Sequence, residues 1–163
     1  MVPRRWVVAG IASVALLAAG CASPPTAPPQ ATSDTWAGRL ALTVQDTPGE
    51  SFAAGFELKG NPAQGELTLV SPIGTTLGIL QWEPGRAVLR SSAGQRHYES
   101  LDALVTQVAG SPIPVVALFD WLRGVATPVR GWTPDLSQLA RGRISALRSD
   151  PQPVADLRVV LER

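Results

Sequence analysis

The sequence predicts a mainly β domain in which two helices cross an antiparallel sheet. Apolar and polar residues alternate with period two through most of the chain after Trp36, as expected for half-buried strands. Short segments rich in Gly and Pro separate these runs, so successive strands are expected to pair as neighbours in a meander. Only two segments have helical periodicity. The expected result is an α+β fold with a curled, barrel-like sheet and its helices over one mouth.

Composition limits the chain to one domain and narrows its function. Its 163 residues are 45% apolar and 17% charged, enough for a sizeable core but too short for a two-domain enzyme. A formal net charge of +1 provides no basic field, so no nucleic-acid partner is expected. One Cys and one His exclude a disulfide framework and a zinc cluster built from Cys and His.

Residues 1–20 have the pattern of a secretory signal peptide. Arg4 and Arg5 form a positive start, an uncharged apolar run extends from residue 6 to 17, and small residues lead to Cys21. This junction resembles the bacterial lipobox, whose Cys is acylated and becomes the first residue of the mature protein. One position departs from it, because Ala18 stands where the lipobox usually has Leu and Leu17 lies one step earlier. The alternative is a signal-anchored protein with a free or buried Cys21.

Residues 21–35 are predicted to be a linker that begins at the acylated Cys21. They contain four prolines and no large aliphatic side chain, and extended polyproline geometry would give them a reach of about 40 Å. Acyl chains, rather than net charge, are expected to anchor the protein. In lipoproteins of this kind Asp at the second position retains the protein in the inner membrane. Ala22 therefore implies attachment to the periplasmic face of the outer membrane.

The folded domain is predicted to span residues 36–163. Its predicted strands are seven alternating segments, at residues 39–44, 51–58, 66–70, 75–82, 86–91, 143–147 and 157–161. Turn sequences at residues 60–62, 72–74, 84–85 and 93–94 separate the first of them.

Two helices are predicted between the fifth and sixth of these strands. Ser100 can cap the first, whose apolar residues at 101, 104, 105 and 108 follow the helical period before Gly110. The second runs from Pro114 to Gly124 and is apolar around most of its circumference. A helix this apolar needs cover on more than one side. Either it is a core helix or one of its sides faces an apolar cavity.

The segment from Leu67 to Gly124 resembles a known family. Its turn Ser-Pro-Ile-Gly at residues 71–74 is followed by Gly-Gln-Arg at 94–96, Gly-Ser-Pro-Ile-Pro at 110–114 and Trp-Leu-Arg-Gly at 121–124. In order and spacing, these short motifs resemble the outer-membrane lipoprotein insertase family LolB. Together with the lipobox, the resemblance covers most of the chain.

The resemblance implies an incomplete antiparallel β-barrel with a helical lid over an apolar cavity. Such a protein accepts acylated lipoproteins from the periplasmic carrier LolA and inserts them into the inner leaflet of the outer membrane, without a cofactor, metal or catalytic residue. The family's protruding loop carries an exposed apolar residue needed for insertion. Here the loop corresponds to Pro72, Ile73 and Gly74, with Ile73 at the tip. Fewer residues follow Gly124 than in other members of the family, and this difference leaves the strand count open. We expect the protein to be a monomer.

The pattern of residues leaves several assignments open. Ile73 taken alone is either an exposed tip or a turn residue that packs inward. His97 is the only possible His general base, and the chain lacks a Gly-x-Ser-x-Gly turn, so a hydrolase is disfavoured. A lipid-anchored scaffold or envelope-assembly subunit that binds only protein is the alternative function. Nine apolar residues either line a cavity or fill a core, namely Phe52, Phe56, Leu67, Leu69, Leu77, Ile79, Leu118, Phe119 and Trp121.

Overall fold

A computed structural model describes residues 34–45, 51–109 and 113–162 of the chain. The predicted signal peptide, Cys21 and nearly all of the predicted linker lie outside these residues, as does the Gly-Ser-Pro segment at 110–112.

The described residues form one nine-stranded antiparallel sheet with two helices. The strands are β1 (Asp34–Val44), β2 (Phe52–Gly60), β3 (Gly65–Val70), β4 (Thr76–Glu83), β5 (Arg86–Ser91), β6 (Gly94–Tyr98), β7 (Trp132–Asp135), β8 (Arg143–Arg148) and β9 (Ala155–Leu161). The helices are α1 (Leu101–Ala109) and α2 (Val115–Leu122). The strand order is β6-β5-β4-β3-β2-β1-β9-β8-β7, so the sheet is not closed and β6 and β7 are its edges. The prediction of an incomplete antiparallel barrel with a helical lid is confirmed.

Both edge strands are absent from the seven predicted segments. β6 has the sequence Gly-Gln-Arg-His-Tyr, whose mostly exposed polar residues give no apolar alternation. β7 is four residues long and contains Pro134, which disfavours a central strand but is tolerated at a sheet edge. Neither strand therefore has the sequence pattern that identifies a half-buried strand.

The core lies between the inner face of the curled sheet and the two helices. Alternate residues of the central strands point into it, among them Leu42 of β1, Leu58 of β2 and Val159 of β9, each at most 1% exposed. Leu104 of α1 is fully buried against the same cluster. The described core falls between Trp36 and Leu161 and forms one packed cluster.

Helix α2 is buried on most of its surface. Six of its eight residues are buried, and Phe119 and Trp121 are completely inaccessible to solvent. Phe119 makes T-shaped ring contacts with Trp36 at a centroid distance of 5.6 Å and with Trp82 at 6.0 Å. Each large apolar side chain buried in this way stabilises the fold by about 1.5–3 kcal/mol. The open sheet thus uses an apolar helix as the cover that a closed barrel does not need.

Strand pairing identifies which features share an end of the barrel. Val44 pairs with Ala155, Ala155 with Arg148 and Arg148 with Trp132, which places these four residues in one row. The end of β1 that contains Val44 also lies beside the start of β2 and the end of β3. The β3–β4 turn is therefore at this end, which we call the loop end. Asp34 pairs with the last residue of β2 at the opposite end.

A glycine in the middle of β1 allows the close approach of β9. A Cβ atom at Gly38 would collide with the backbone carbonyl oxygen of Val160.

We expect Gly38→Ala to lower the free energy of unfolding by about 2 kcal/mol or more, because a strand backbone cannot move aside as a flexible side chain can. Gly78→Ala is the matched control, since its new Cβ would first meet the flexible end of Leu89 at 3.2 Å. Urea unfolding should show a change within about 1 kcal/mol for the control, and equal losses would contradict the prediction.

Candidate functional site

The turn between β3 and β4 is held by three hydrogen bonds. The Gly74 amide donates to the Ser71 carbonyl at 2.9 Å, and the Ser71 amide donates to the Thr75 carbonyl at 2.8 Å. The Thr75 amide donates to the Ser71 hydroxyl at 3.1 Å. Pro72 suits the second position of such a turn, and Gly74 has a φ of +85°, which favours glycine. Local sequence therefore fixes a tight turn at the loop end.

Ile73 stands at the tip of this turn with 89% of its surface exposed. The other exposed large apolar residues of the described chain have exposures of 36–55%. A Cβ atom placed on the adjacent Gly74 would have no neighbouring atom within 4 Å, so the turn projects into open space. Ile73 does not pack into the core.

The C-terminal end of α2 is clasped to the start of β1. Arg123 donates from Nε to Asp34 Oδ2 at 2.8 Å, and its Nη2 lies 2.6 Å from the same oxygen. The guanidinium also lies over the rings of Trp36 and Phe119, at 5.6 and 5.9 Å from their centroids. Because Asp34 is at the opposite end from the turn, this clasp fixes the lid far from Ile73.

Two further hydrogen bonds secure the same end of the lid. Trp121 Nε1 donates to the Thr127 carbonyl at 3.0 Å, and the Thr127 hydroxyl donates to Asp120 Oδ2 at 2.7 Å. The N-terminal end differs, because Pro114 precedes α2 and provides no side-chain cap. The side-chain hydrogen bonds and the ion pair described for the lid thus lie at its C-terminal end.

An open depression of about 560 Å³ lies along α2, from Pro114 before the helix to Asp120 and Thr127 near its C-terminal end. Its apolar lining includes Ile113, Pro114, Val116, Ala117, Val129 and Trp132, and Arg148 is among its polar lining residues. Trp132 and Arg148 line the part of this depression at the loop end, which is also the end that bears Ile73, and Asp120 and Thr127 line the part nearer the Arg123 clasp.

Arg148 is the buried charged residue of the described chain, with 1% of its surface exposed. Its Nη2 donates to the Pro153 carbonyl at 2.9 Å, and its guanidinium lies 5.7 Å from the centroid of Trp132. Arg148 is not among the site residues predicted from the sequence. The signal was present, because Arg148 continues the alternation that places Ile144 and Ala146 on the inner face of β8.

Most of the residues predicted to line a cavity are packed in the core or against it. Five of them, Phe56, Leu67, Leu118, Phe119 and Trp121, belong to the packed core, and Leu69 packs against it. These five line none of the four depressions described in this part of the chain. Phe52 lies at the start of β2 with 36% of its surface exposed.

Leu77 and Ile79 lie on the outer face of β4, away from that core. The inner face of β4 carries Gly78, Leu80 and Trp82 instead. The prediction that Leu77 and Ile79 face inward is wrong, because both faces of this strand contain large apolar residues and the alternation alone does not identify the inner face. The structure therefore brings Phe56, Leu67 and the three α2 residues together in the core, but not Leu77 and Ile79.

His97 lies exposed on the edge strand β6. Its Nε2 is 3.0 Å from Nε2 of Gln95 on the same strand. Within residues 34–45, 51–109 and 113–162, no three His, Cys, Asp or Glu side chains gather in a way that could hold a metal ion. None of the described helices is long and apolar enough to cross a membrane.

Comparison with known proteins gives consistent matches. The family model described as outer membrane lipoprotein LolB matches residues 34–155. The Outer-membrane lipoprotein LolB of Bordetella petrii is 37% identical over 126 residues, covering 74% of this chain and 62% of that protein. The protein of the same name from Bordetella pertussis is 38% identical over 128 residues, covering 75% and 64%. The protein from Chromobacterium violaceum is 29% identical over 123 residues, covering 71% and 67%. The chain spans just under two thirds of the Bordetella proteins.

Loss of the clasp should loosen the lid at its C-terminal end. We expect Arg123→Met to increase hydrogen exchange of the last α2 amides and to lower the free energy of unfolding by about 1 kcal/mol, because a partly exposed ion pair and cation–π contacts are lost. Arg141→Met is the control, since Arg141 makes one exposed hydrogen bond, to Gln138. Equal exchange in both variants would contradict a role for the clasp.

Proposed function

The chain belongs to the LolB family of outer-membrane lipoproteins, and from this premise we propose that it receives acylated lipoproteins from the periplasmic carrier LolA and inserts them into the inner leaflet of the outer membrane. The observation that carries the proposal is Ile73, an apolar tip that is 89% exposed on a hydrogen-bonded turn. A large aliphatic residue in that position contributes little to folding. It is suited to contact with an apolar partner outside the domain.

The proposal includes attachment of the protein itself to the outer membrane. Cys21 would carry the acyl chains, and the Pro-rich linker would hold the domain in the periplasm within reach of the membrane. Two or more chains make such attachment stable. The protein would therefore stay at the membrane while its clients pass through.

Energetics requires that the clients move between enclosed sites. Burial of each methylene of an acyl chain is worth about 0.8 kcal/mol, so release of a client with tens of methylenes into water would cost tens of kcal/mol. Transfer from one apolar enclosure to another avoids this cost without bond cleavage or nucleotide. The proposed transfer therefore depends on apolar surface of the protein rather than on reactive groups.

We place the acyl-chain entry at the loop end of the depression along α2. Its volume of about 560 Å³ is within the range of small-molecule sites, and its walls are largely apolar. The inner residues beneath the lid are packed together, so long chains would need the lid to move outward. The absence of a side-chain cap at the N-terminal end supports opening at the loop end, with the Arg123 clasp as the pivot.

The membrane contact proposed for Ile73 is reversible. Burial of one such side chain in lipid stabilises the contact by about 1.5–3 kcal/mol. This energy is enough to direct the loop end toward the bilayer and too small to trap the domain there. Entry site and membrane tip share one end, so a client could leave the protein where it meets lipid.

Acyl binding at the lid can be measured with a fluorescent fatty acid and the soluble domain. We expect the wild-type domain to bind the probe and Val116→Gln to weaken binding about tenfold, because an apolar wall residue becomes polar. Val116 is 44% exposed, so the fold should tolerate the change. Val125→Gln is the matched control, as Val125 is 55% exposed and does not line the depression. A wild-type domain that binds no probe would favour the alternative, a scaffold that binds only protein.

Delivery into lipid can be separated from receipt of the client. We expect Ile73→Asp to leave the unfolding temperature and the uptake of lipoprotein from LolA nearly unchanged while blocking transfer to vesicles, because a carboxylate cannot enter hydrocarbon. Val125→Asp is the control and should deliver normally. If Ile73→Asp folds and delivers at the wild-type rate, the turn has no insertion role. If it unfolds the domain, Ile73 is a structural residue.

A further inference from the structure

The outer face of the sheet beside the Ile73 turn is an open depression of about 720 Å³. Pro72 and Gly74 of the turn form one side of it. Arg39 of β1 and Arg158 and Val160 of β9 line it further from the turn. We call this surface the flank, defined by Arg39, Arg158 and Val160.

Strand register places the flank level with the base of the turn. Val70, the last residue of β3, pairs with Gly55, Gly55 pairs with Arg39, and Arg39 pairs with Val160. These four residues form one row across four adjacent strands, about 14 Å wide at ordinary strand spacing. Ile73 lies three residues beyond the row, at most about 10 Å further along the strand direction. The flank therefore lies on the outer surface next to the base of the turn.

The flank combines apolar and cationic side chains in the manner of a membrane-interface surface. Val160 is 47% exposed, and Leu147 in the neighbouring depression, which shares Arg158 and Val160, is also 47% exposed. Long arginine side chains can lay their apolar stems along such a surface and extend the guanidinium to phosphate groups.

The charges on this face differ in their availability. Arg158 donates to both carboxylate oxygens of Asp156, at 3.3 and 2.9 Å, and this hydrogen bonding with the carboxylate's charge raises the pKa of Arg158. Arg39 is exposed, and the ion pairs among the described residues do not include it. Glu162 lines the same depression. Arg143, which pairs with Val160, is also exposed and outside these ion pairs, but Arg39 is the one of the two that lines the depression beside the turn, with the Glu162 carboxylate in the same lining.

We propose that the flank lies against phospholipid headgroups when Ile73 enters the bilayer, so that the membrane contact is a face rather than a single tip. This inference rests on the proposed membrane role of Ile73 and extends it. The headgroup layer on each side of a bilayer is about 5–8 Å thick. With the tip in hydrocarbon, the row that contains Arg39 and Val160 stands at the height of the phosphates.

Site-specific fluorescence tests the orientation. Residues 22–163 contain the whole described core and no Cys, so single substitutions Ile73→Cys, Val160→Cys and Val125→Cys can each carry one polarity-sensitive dye. We expect vesicles of phosphatidylethanolamine and phosphatidylglycerol to shift the emission at positions 73 and 160 to shorter wavelength and to leave position 125 unchanged. Thermal unfolding confirms that each labelled variant is folded.

The outcomes separate the two proposals. A shift at position 73 with none at 160 overturns the flank and leaves the insertion role of Ile73 standing. No shift at either position overturns both. A shift at position 160 that appears without vesicles as protein concentration rises shows that a second copy covers the flank, and it overturns the membrane assignment.

A charge-matched pair of variants tests the headgroup contact. We expect Arg39→Gln to weaken vesicle binding about fivefold, the factor that corresponds to about 1 kcal/mol for one basic residue at an anionic surface. Added salt should reduce this difference. Arg86→Gln is the control, because Arg86 is an exposed arginine in the β4–β5 hairpin at the opposite end of the strands. Equal binding by both variants overturns the role of Arg39.

Discussion

The fold depends on the burial of α2 against a sheet that does not close. Phe119 is completely buried, in T-shaped contact with Trp36 and Trp82, and the Arg123 guanidinium lies over its ring. Without this helix the inner faces of the central strands would be open to water. Because apolar burial is the main stabilising term in a domain of this size, the lid is part of the core and not an accessory to it.

The two ends of the lid are held differently, and this asymmetry connects stability with function. Ion-pair, cation–π and hydrogen-bond contacts join the C-terminal end to β1 and to the segment after α2. The N-terminal end adjoins an open apolar depression and has no side-chain cap. A helix with one fixed end can open by rotation while most of its buried contacts near the pivot persist. Such motion costs less than removing the whole helix.

The loop end concentrates the features suited to lipid. It holds the exposed tip of the turn, the depression beside the lid and the outer flank, which come from strands far apart in sequence. Each single contact with lipid is weak, while the burial of a client's acyl chains is strong. The function that we propose needs this order of energies, because a membrane contact as strong as the burial of a client's acyl chains would hold the domain at the bilayer.

Local sequence determined the features whose physics is local. Period-two alternation predicted the central strands, and Pro72 with Gly74 predicted the turn that carries Ile73, because φ restrictions and short-range hydrogen bonds act within a few residues. Tertiary structure alone decided which face of β4 points inward, since Leu77 and Leu80 are equally apolar and only the packing of neighbouring strands distinguishes them. It also decided the pairing of the polar strand β6 and the proline-containing strand β7, and the contact of Arg123 with Asp34, 89 residues away. Such contacts depend on the topology of the whole chain, which local sequence patterns do not encode.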